Sequence, residues 1–562
     1  MTFFDLAKVP LSRRGAYLAV SRTYANDPGY RNHPNHLYLR SVRGGAAHKW
    51  GGLLRLAPLA ADGSPAAFTE TAAPAGATLE GPGGGRVEMS FDETGGLRIR
   101  GAACAFRLDW EGCTAGGIAH RWGDSRVLVI QPQLHTQLSI TRVRGVMEPE
   151  VRWQTQGTRH HTAEFHTLVS GGDDGRWEIT IAELHCGLPA PADREGVSAA
   201  AEFGEFFARY EHLVRPEYRE AAELAAYVNW SAIVAPSGNF KRPAMLMSKN
   251  WMHNLWTWDN CFNALALANA DPELALDQLR IAFDHQDERG SLPDAVTDNH
   301  ITRDFVKPPV YGWFLSRMLE ANPALDTPAV RDEFAGKLRK LSGWWDARKP
   351  APSSHPAYLH GNDSGWDNCT LFDGGYPVES PDLMAFLAEQ EFFLARCGMP
   401  DNGAERVAAL VSDFWDARAG RFNTRNSATH TPAETPRSLL SFIPLILGMR
   451  LPAEIRAKMV ADLNVEGDLL TPYGFATESL RGPCFHDTGY WRGPLWAPVN
   501  FLVIEGLRAC GERAFADDVA RRFCDTCARS GFAENFSALD GRGLCDSAYT
   551  WASSVFLLLA MK

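Results

Sequence analysis

The spacing of the apolar residues changes near residue 200, and this change restricts the folds that the chain can adopt. Before it, short runs alternate apolar and polar residues and are separated by Gly, Pro and Asp. Alternation of this kind is typical of antiparallel strands that are buried on one face. We therefore predict an N-terminal antiparallel β-sandwich domain over residues 1–200. Its clearest strands are 36–40, 86–91, 97–100, 126–130, 137–141 and 177–182.

Two stretches of this first part need a separate interpretation. Residues 57–85 are rich in Gly, Pro and Ala, which predicts a loop or a flexible excursion between strands. His160, His161 and His166 resemble a set of metal ligands, but they lie in a strand-like stretch. Adjacent residues of a strand point to opposite faces, so we expect no metal site there.

From about residue 215 the apolar residues recur at helical spacing, and the loops between them are long and polar. The segments with this spacing are 218–234, 259–270, 272–287, 310–320, 329–347, 381–396, 404–417, 438–447, 452–463, 496–509, 514–530 and 549–559. Helices in consecutive hairpins suit a toroid of inner and outer helices, whose loops build a site at one end. The sequence thus predicts a C-terminal (α/α)6 barrel over residues 241–562. A helical linker over residues 201–240 would join it to the β-domain.

The composition excludes several classes of function. The formal net charge of −11 argues against nucleic acid or an anionic membrane as the main partner. No window approaches about 18 consecutive apolar residues, so no membrane span is expected. The first residues lack the uninterrupted apolar core of a signal peptide. Because the 11 cysteines follow no disulfide framework, we predict a soluble, cytoplasmic protein.

Four loops of the helical part have compositions that a purely structural connection would not need. The first, Trp251–Phe262, holds three tryptophans and an aspartate ahead of an apolar helix. Trp258 and Asp259 suit a sugar, because an indole stacks on a sugar ring and a carboxylate accepts from hydroxyls. The same two residues would also serve as a helix cap and hydrophobic staple. In the second loop, Lys307 precedes two prolines and offers a cation either to a polar ligand or to solvent.

The third and fourth loops carry the acids that chemistry would need. Gly361–Asn368 holds two carboxylates, two amides and Trp366 but no aliphatic side chain, which is typical of a catalytic turn or a cation site. It lacks the glutamate that closes an EF-type calcium loop, so we expect no metal and no other cofactor. Glu534 lies between aromatic residues ahead of a Gly-rich turn. That setting suits a carboxyl of shifted pKa or a surface cap.

Taken together, these residues resemble the motif set of glycoside hydrolase family 63, to which the trehalases of family 37 are similar. The motifs are Trp258-Asp259, Lys307-Pro308-Pro309, Ser364-Gly-Trp-Asp-Asn368, Tyr490-Trp-Arg-Gly-Pro-Leu-Trp496 and Glu534-Asn-Phe536, in the family's order. The resemblance covers about residues 240–562. It implies the (α/α)6 barrel, often with an N-terminal β-domain, and hydrolysis of α-glucosides with inversion at the anomeric carbon.

The resemblance also implies roles for individual residues. Asp367 takes the place of the general acid and Glu534 that of the general base, although the residues alone would allow the reverse. The implied substrate-binding residues are Trp258, Asp259, Lys307, Trp366, Trp491, Arg492 and Trp496. Asp363 stands where trehalase-type loops begin with Glu, so trehalose is not the expected substrate.

The sequence therefore predicts an inverting O-glycosyl hydrolase that removes a terminal α-linked glucose-like or mannose-like unit from a small carbohydrate. An inverting pair needs carboxyl groups about 6.5–9.5 Å apart, with room for water. Three other interpretations stay open. The chain could be a carbohydrate-binding protein without activity, a disaccharide phosphorylase, or a toroidal sugar epimerase that uses histidines such as His253, His285 and His300.

Overall fold

The computed structural model describes residues 3–22, 36–45, 52–110, 117–132, 135–184, 198–350, 353–426 and 437–562. Its longer strands all lie in the first part of the chain. They are β1 (Leu18–Ser21), β2 (Leu37–Ser41), β3 (Leu54–Leu59), β4 (Thr69–Ala73), β5 (Gly76–Glu80), β6 (Arg86–Phe91), β7 (Leu97–Ala102), β8 (Ala105–Asp109), β9 (Ile118–Arg121), β10 (Arg126–Gln131), β11 (Thr136–Arg144), β12 (Val146–Gln156), β13 (Arg159–Ser170) and β14 (Arg176–Glu183).

These strands form two antiparallel sheets, which confirms the predicted antiparallel region. One sheet has the order β1-β2-β3-β8-β13-β12 and the other β4-β5-β6-β7-β14-β11-β10-β9. In β6, Val87 and Met89 are buried while Arg86 and Glu88 are exposed, as the alternation in the sequence predicts. The buried pair shares one core with Phe106 of the other sheet. Each such apolar side chain contributes about 1.5–3 kcal/mol of transfer free energy.

The interpretation of residues 57–85 as a loop is wrong. They contain the end of β3 and the hairpin of β4 and β5, in which Ala73 pairs with Gly76. Gly76 has φ +152°, and a Cβ there would lie 2.3 Å from the carbonyl oxygen of Met89 in β6. Glycine is needed at this position because two backbones approach closely, and the sequence alone does not separate that cause from a loop.

The helices follow from residue 199 onward. They are α1 (Ala199–Glu211), α2 (Arg219–Ala232), α3 (Asp259–Leu267), α4 (Pro272–Phe283), α5 (Tyr311–Ala321), α6 (Pro328–Ala347), α7 (Gly361–Ser364), α8 (Pro381–Arg396), α9 (Gly403–Phe414), α10 (Ala453–Leu463), α11 (Ala497–Ala509), α12 (Arg513–Ser530) and α13 (Thr550–Ala560), with a 3₁₀ segment at Leu439–Arg450. The prediction of an α-helix over 438–447 is therefore wrong. Pro444 lacks the amide hydrogen that an α-helix needs, and Gly448 leaves helical geometry at φ 56°.

Six helical segments contact one another in a closed cycle. α3 packs on α5, α5 on α8, α8 on the 3₁₀ segment, that segment on α11, α11 on α13, and α13 on α3. Outside the cycle, α4 packs on α3, α9 on α8, α12 on α11 and α2 on α13. The four polar loops identified in the sequence precede α3, α5, α8 and α13, and the motif Tyr490–Trp496 precedes α11. Because these loops all enter helices of the cycle at their N-terminal ends, they meet at one rim.

Polar contacts join the sheets to the helical part. Lys249 is buried, and its Nζ donates to Ala16 O at 2.5 Å and to Ser12 Oγ at 3.0 Å. Burial lowers the pKa of this lysine well below its usual value. In the loop after β2, Arg43 pairs with Asp298 at 3.1 Å. The helical part therefore places charged groups against the N-terminal segment.

Within the described part of the chain, no helix has both the length and the apolar composition to cross a bilayer. Cys524 and Cys527 are fully buried in α12 as free thiols, so this pair packs in the core.

Candidate active site

A cavity of about 140 Å³ opens at the rim where the polar loops meet. Its walls combine aromatic rings with carboxyl groups and one lysine among the described residues. The lining residues are Met252, Trp256, Trp258, Asp259, Lys307, Asn362, Gly365, Asp367, Tyr490, Trp491, Tyr549 and Trp551. Such a combination of apolar walls and a few polar groups is typical of small-molecule sites.

Stacked indoles form one wall of the cavity. The ring of Trp491 lies 3.9 Å from that of Trp496, with the two planes only 6° apart. Trp551 meets Trp496 edge to face at 5.3 Å, and Trp258 meets Trp551 edge to face at 6.3 Å. Rings held on several sides keep their orientation without a ligand, so this wall offers a fixed apolar face to a sugar ring.

The loop that carries Asp367 is held against this wall by a glycine. α7 ends at Gly365, which has φ +74°. A Cβ at Gly365 would lie 2.5 Å from the indole of Trp258. Asp363 fixes the start of the loop, because its carboxylate accepts from Val306 N at 3.1 Å and from Arg348 at 2.7 Å. The carboxylate of Asp363 therefore binds groups of the protein itself and holds the loop in place.

An asparagine joins the same loop to the segment before α11. Asn368 Nδ2 donates to Gly489 O at 3.0 Å, and Asn368 Oδ1 accepts from Trp491 N at 2.9 Å. Between these two contacts Tyr490 has φ 64°. A bulky residue rarely adopts this conformation, which costs about 1–3 kcal/mol. This backbone conformation turns the Tyr490 side chain toward the cavity, which it lines.

Lys307 lies among three carboxyl groups. Its Nζ is 3.0 Å from Asp294 Oδ1 and 4.0 Å from Asp367 Oδ1, and it donates to Asn362 O at 2.9 Å. Burial raises the pKa of Asp367, Lys307 opposes that rise, and the charge of Asp294 adds to it. Burial also raises the pKa of Asp259 to about 8, against the effect of Lys307.

Glu534 lies behind Tyr490 and is buried, with 2% of its surface exposed. Tyr490 Oη donates to Glu534 Oε1 at 3.2 Å, and Asp546 N–H donates to Glu534 Oε2 at 3.4 Å. Burial, followed by the charge of Asp546, raises the pKa of Glu534 to about 8. The charge of Asp367 also raises it.

The structure brings together most of the predicted site residues. Those that line the cavity are Trp258, Asp259, Lys307, Asp367 and Trp491, and Glu534 contacts the lining through Tyr490. Trp366 and Trp496 are buried and pack on Trp491 from behind.

Arg492 has a different position from the one expected. Its guanidinium pairs with Asp373, and its Nε donates to Asn368 O at 2.8 Å. It is not among the described residues that line the cavity, and it stabilises the loop around Asn368 instead.

Sequence reasoning missed several members of the lining. Met252 and Trp256 lie in the first polar loop and Tyr490 in the motif before α11, whereas Tyr549 and Trp551 lie in the segment predicted as the last helix. None of the five was selected as a site residue. The signal was their position within those stretches. Which side of each loop faces inward depends on local backbone geometry, such as the positive φ of Tyr490.

Comparisons with known proteins show the family of this chain. A family model described as "Mannosylglycerate hydrolase MGH1-like glycoside hydrolase domain" matches residues 252–392 and 400–552. A mannosylglycerate hydrolase of Thermus thermophilus is 24% identical over 392 aligned residues, covering 54% of this chain and 93% of that protein.

Solved structures show a similar fold. The crystal structure of a GH63 mannosylglycerate hydrolase from Thermus thermophilus in complex with glucose has a TM-score of 0.53 and 20% identity, covering 60% of this chain and 99% of that one. A bacterial glucoamylase complexed with acarbose has a TM-score of 0.54 and 11% identity, covering 99% of this chain and 94% of that one, so that likeness includes the sheets. Since the family model matches over half of its length, the chain belongs to the MGH1-like glycoside hydrolase domains of family 63.

Proposed function

We propose that this protein is an inverting glycoside hydrolase that removes a terminal α-linked glucose-like or mannose-like unit from a small glycoside. One observation carries the proposal. Asp367 and Glu534 come from loops far apart in the chain, yet Tyr490 lines the cavity beside Asp367 and donates to Glu534 at 3.2 Å. We also propose that the closed cycle of helices is the inner ring of an (α/α)6 barrel over 241–562, preceded by a β-sandwich domain over 1–200 and a linker over 201–240.

Asp367 is the general acid in this proposal. A general acid must hold a proton at working pH and reach the leaving oxygen. Burial and Asp294 raise the pKa of Asp367, which supports the protonated state, and Asp367 remains 31% exposed toward the cavity. Lys307, 4.0 Å away, stabilises the carboxylate that forms when the proton leaves.

Glu534 is the general base. It takes a proton from water as the water oxygen attacks the anomeric carbon, while the bond from that carbon to the leaving oxygen breaks and Asp367 protonates the leaving oxygen. Because the pKa of Glu534 is raised to about 8, much of it is protonated at neutral pH in the free protein. We therefore expect kcat/KM to rise with pH until Glu534 has lost its proton. The reaction needs no metal or other cofactor.

The sugar ring lies in the cavity between Trp258, Asp259 and Trp491. Asp259 Oδ2 is buried and has no hydrogen-bond partner among the described residues, so a sugar hydroxyl would satisfy it. The volume of about 140 Å³ suits one sugar unit rather than a polymer chain. Trp366 and Trp496 act from behind by supporting Trp491, and Arg492 by ordering the Asn368 loop.

The relatives define which substrates to compare. Two of them are named mannosylglycerate hydrolases, so glucosylglycerate and mannosylglycerate belong in a screen beside neutral α-linked disaccharides. Lys307 is the cation among the described lining residues, and Asp294 already pairs with it at 3.0 Å. A glycerate carboxylate would share Lys307 with Asp294. The relative rates on acidic and neutral substrates therefore report how Lys307 is used.

The decisive experiment measures turnover and sugar affinity separately in Asp367→Asn and Glu534→Gln. We expect each variant to lose about 10²–10⁴-fold in kcat while it still binds the sugar. Asp382→Asn, which removes a carboxylate that is fully buried outside the cavity, is the matched control and should keep its turnover. Proton NMR of the first product should show the β-anomer from an α-glycoside. An initial α-anomer would contradict the role of Glu534.

The same assay separates the other classes. A carbohydrate-binding protein would bind sugar without turnover in the unchanged chain, and a phosphorylase would need phosphate for turnover. An epimerase would need catalytic histidines, and His253, His285 and His300 are not among the described lining residues. His253 instead contacts Val42 O at 3.2 Å, where the helical part meets the sheets.

We also propose a cytoplasmic location. The described cysteines are free thiols, which supports a reducing compartment. Cell fractionation with an antibody against the chain tests this.

A further inference from the structure

A second buried carboxyl group lies next to Glu534. Asp546 has no exposed surface, and its backbone carbonyl accepts from Glu534 N at 2.7 Å. Its own N–H donates to Glu534 Oε2 at 3.4 Å. The backbone of Asp546 therefore binds both the backbone and the carboxyl group of Glu534, with two acidic side chains in one buried region.

The hydrogen bonds of Asp546 identify which of the two is charged. Asp546 Oδ1 accepts from Asn250 Nδ2 at 2.9 Å and from Ala548 N at 3.1 Å. Its Oδ2 accepts from Trp251 N at 3.4 Å and from Met252 N at 3.3 Å. All four partners are donors, so a proton on Asp546 would face one of them. Burial raises the pKa of Asp546, and these hydrogen bonds oppose that rise because they favour the carboxylate form.

The same contacts fix the surroundings of the site. Trp251 and Met252 begin the loop that supplies Met252 to the cavity, and this loop is tied to Asp546 by its amides. On the other side, Lys8 O of the N-terminal segment accepts from Ser547 Oγ at 2.6 Å. Asp546 thus joins the segment that carries Glu534 to a wall of the cavity.

We propose that Asp546 is a positioning residue for Glu534, which it holds through its backbone carbonyl and N–H and beside which it places a second buried carboxyl group. This inference rests on the proposed role of Glu534 as the base. A carboxylate beside a second negative charge is a stronger base, so it removes a proton from water more readily. Asp546 itself is not among the described residues that line the cavity.

Other groups also face Glu534. They are Tyr490 from the segment before α11, Asp367 from the loop after α7, Cys545 beside Asp546, and Tyr549 before α13. The charges of Asp546 and Asp367 raise the pKa of Glu534, and the hydrogen bond that Tyr490 donates lowers it.

The test is Asp546→Asn in the full chain, which removes the charge and keeps the shape. We expect the acidic limb of the kcat/KM profile to move to lower pH by about one unit or more, and kcat on its plateau to fall about tenfold with KM nearly unchanged. The control is Asp382→Asn, whose carboxylate is equally buried and accepts from Tyr358 at 3.0 Å. Its pH profile should match that of the unchanged chain.

A limb that stays in place in Asp546→Asn would overturn the proposal. If that variant does not fold, carboxyl ¹³C NMR of the unchanged chain decides, with the Glu534 signal assigned by its loss in Glu534→Gln. Glu534 should then titrate above Asp546, and the opposite order would overturn the proposal. Failure of the proposed function has a different result, because Glu534→Gln would then keep its turnover.

Discussion

Replacing Gly365 by alanine tests whether the Asp367 loop needs its close approach to Trp258. Gly365 has φ +74°, and the added Cβ would lie 2.5 Å from the indole. Alanine in this left-handed conformation costs about 1–2 kcal/mol. Forcing a methyl group into a packed contact costs about 1–3 kcal/mol more. The free energy of unfolding should therefore fall by about 2–5 kcal/mol in total.

The matched control is Gly398→Ala. Gly398 has φ +80°, but no atom lies within 4 Å of its added Cβ, so only the backbone cost applies. Urea unfolding followed by tryptophan fluorescence compares the two variants. Because Gly365 also sets the position of Asp367, kcat/KM should fall at least about tenfold in Gly365→Ala and stay unchanged in Gly398→Ala. Equal stability losses with full activity in both would refute the reasoning.

Other predictions follow from the same geometry. The turnover of Asp367→Asn should be partly restored by a substrate whose leaving group needs no proton, whereas that of Glu534→Gln should not. Equal restoration in both variants would contradict the roles given to these residues. Tyr490→Phe removes the donor at 3.2 Å from Glu534 and should lower kcat about tenfold in a folded protein, as circular dichroism and turnover would show. Burial raises the pKa of Asp259 and Glu534 to about 8, so the folded state binds more protons than the unfolded one and the free energy of unfolding should fall as pH rises from about 4.5 to about 8. Each of the two groups contributes at most about 1.4 kcal/mol per pH unit to this fall in the free energy of unfolding. In Glu534→Gln, the free energy of unfolding should therefore change less steeply with pH.

Much of the fold could be predicted because the burial of side chains follows the period of the backbone. The alternation in β6 and the helical spacing of α12 both mark the residues that the structure buries. The hairpin of β4 and β5 was missed because Gly76 is required by a neighbouring strand, and that neighbour is not visible in local sequence. In the 3₁₀ segment, the apolar spacing indicates an α-helix while Pro444 opposes one, and the structure follows the proline.

The site was predictable by loop more than by side chain. The loops and motifs singled out in the sequence contain most of the described residues that line the cavity, but not Tyr549 and Trp551. They did not indicate that Arg492 would pair with Asp373 while the adjacent Tyr490 turned inward. That choice depends on the backbone at Tyr490 and on the contacts of Asn368, which join segments distant in the chain.

The buried Lys249 limits how this protein can be divided. Its amino group donates to oxygen atoms of residues 12–16, which precede the first strand. Removing the N-terminal segment would take away these partners and expose to water the buried surface that the segment covers. The strand-rich and helical parts of the chain are thus not expected to unfold independently of each other. Fragments that begin after the strands should therefore aggregate when they are expressed. Domain shuffling of this chain would have to carry residues 12–16 along with the helices.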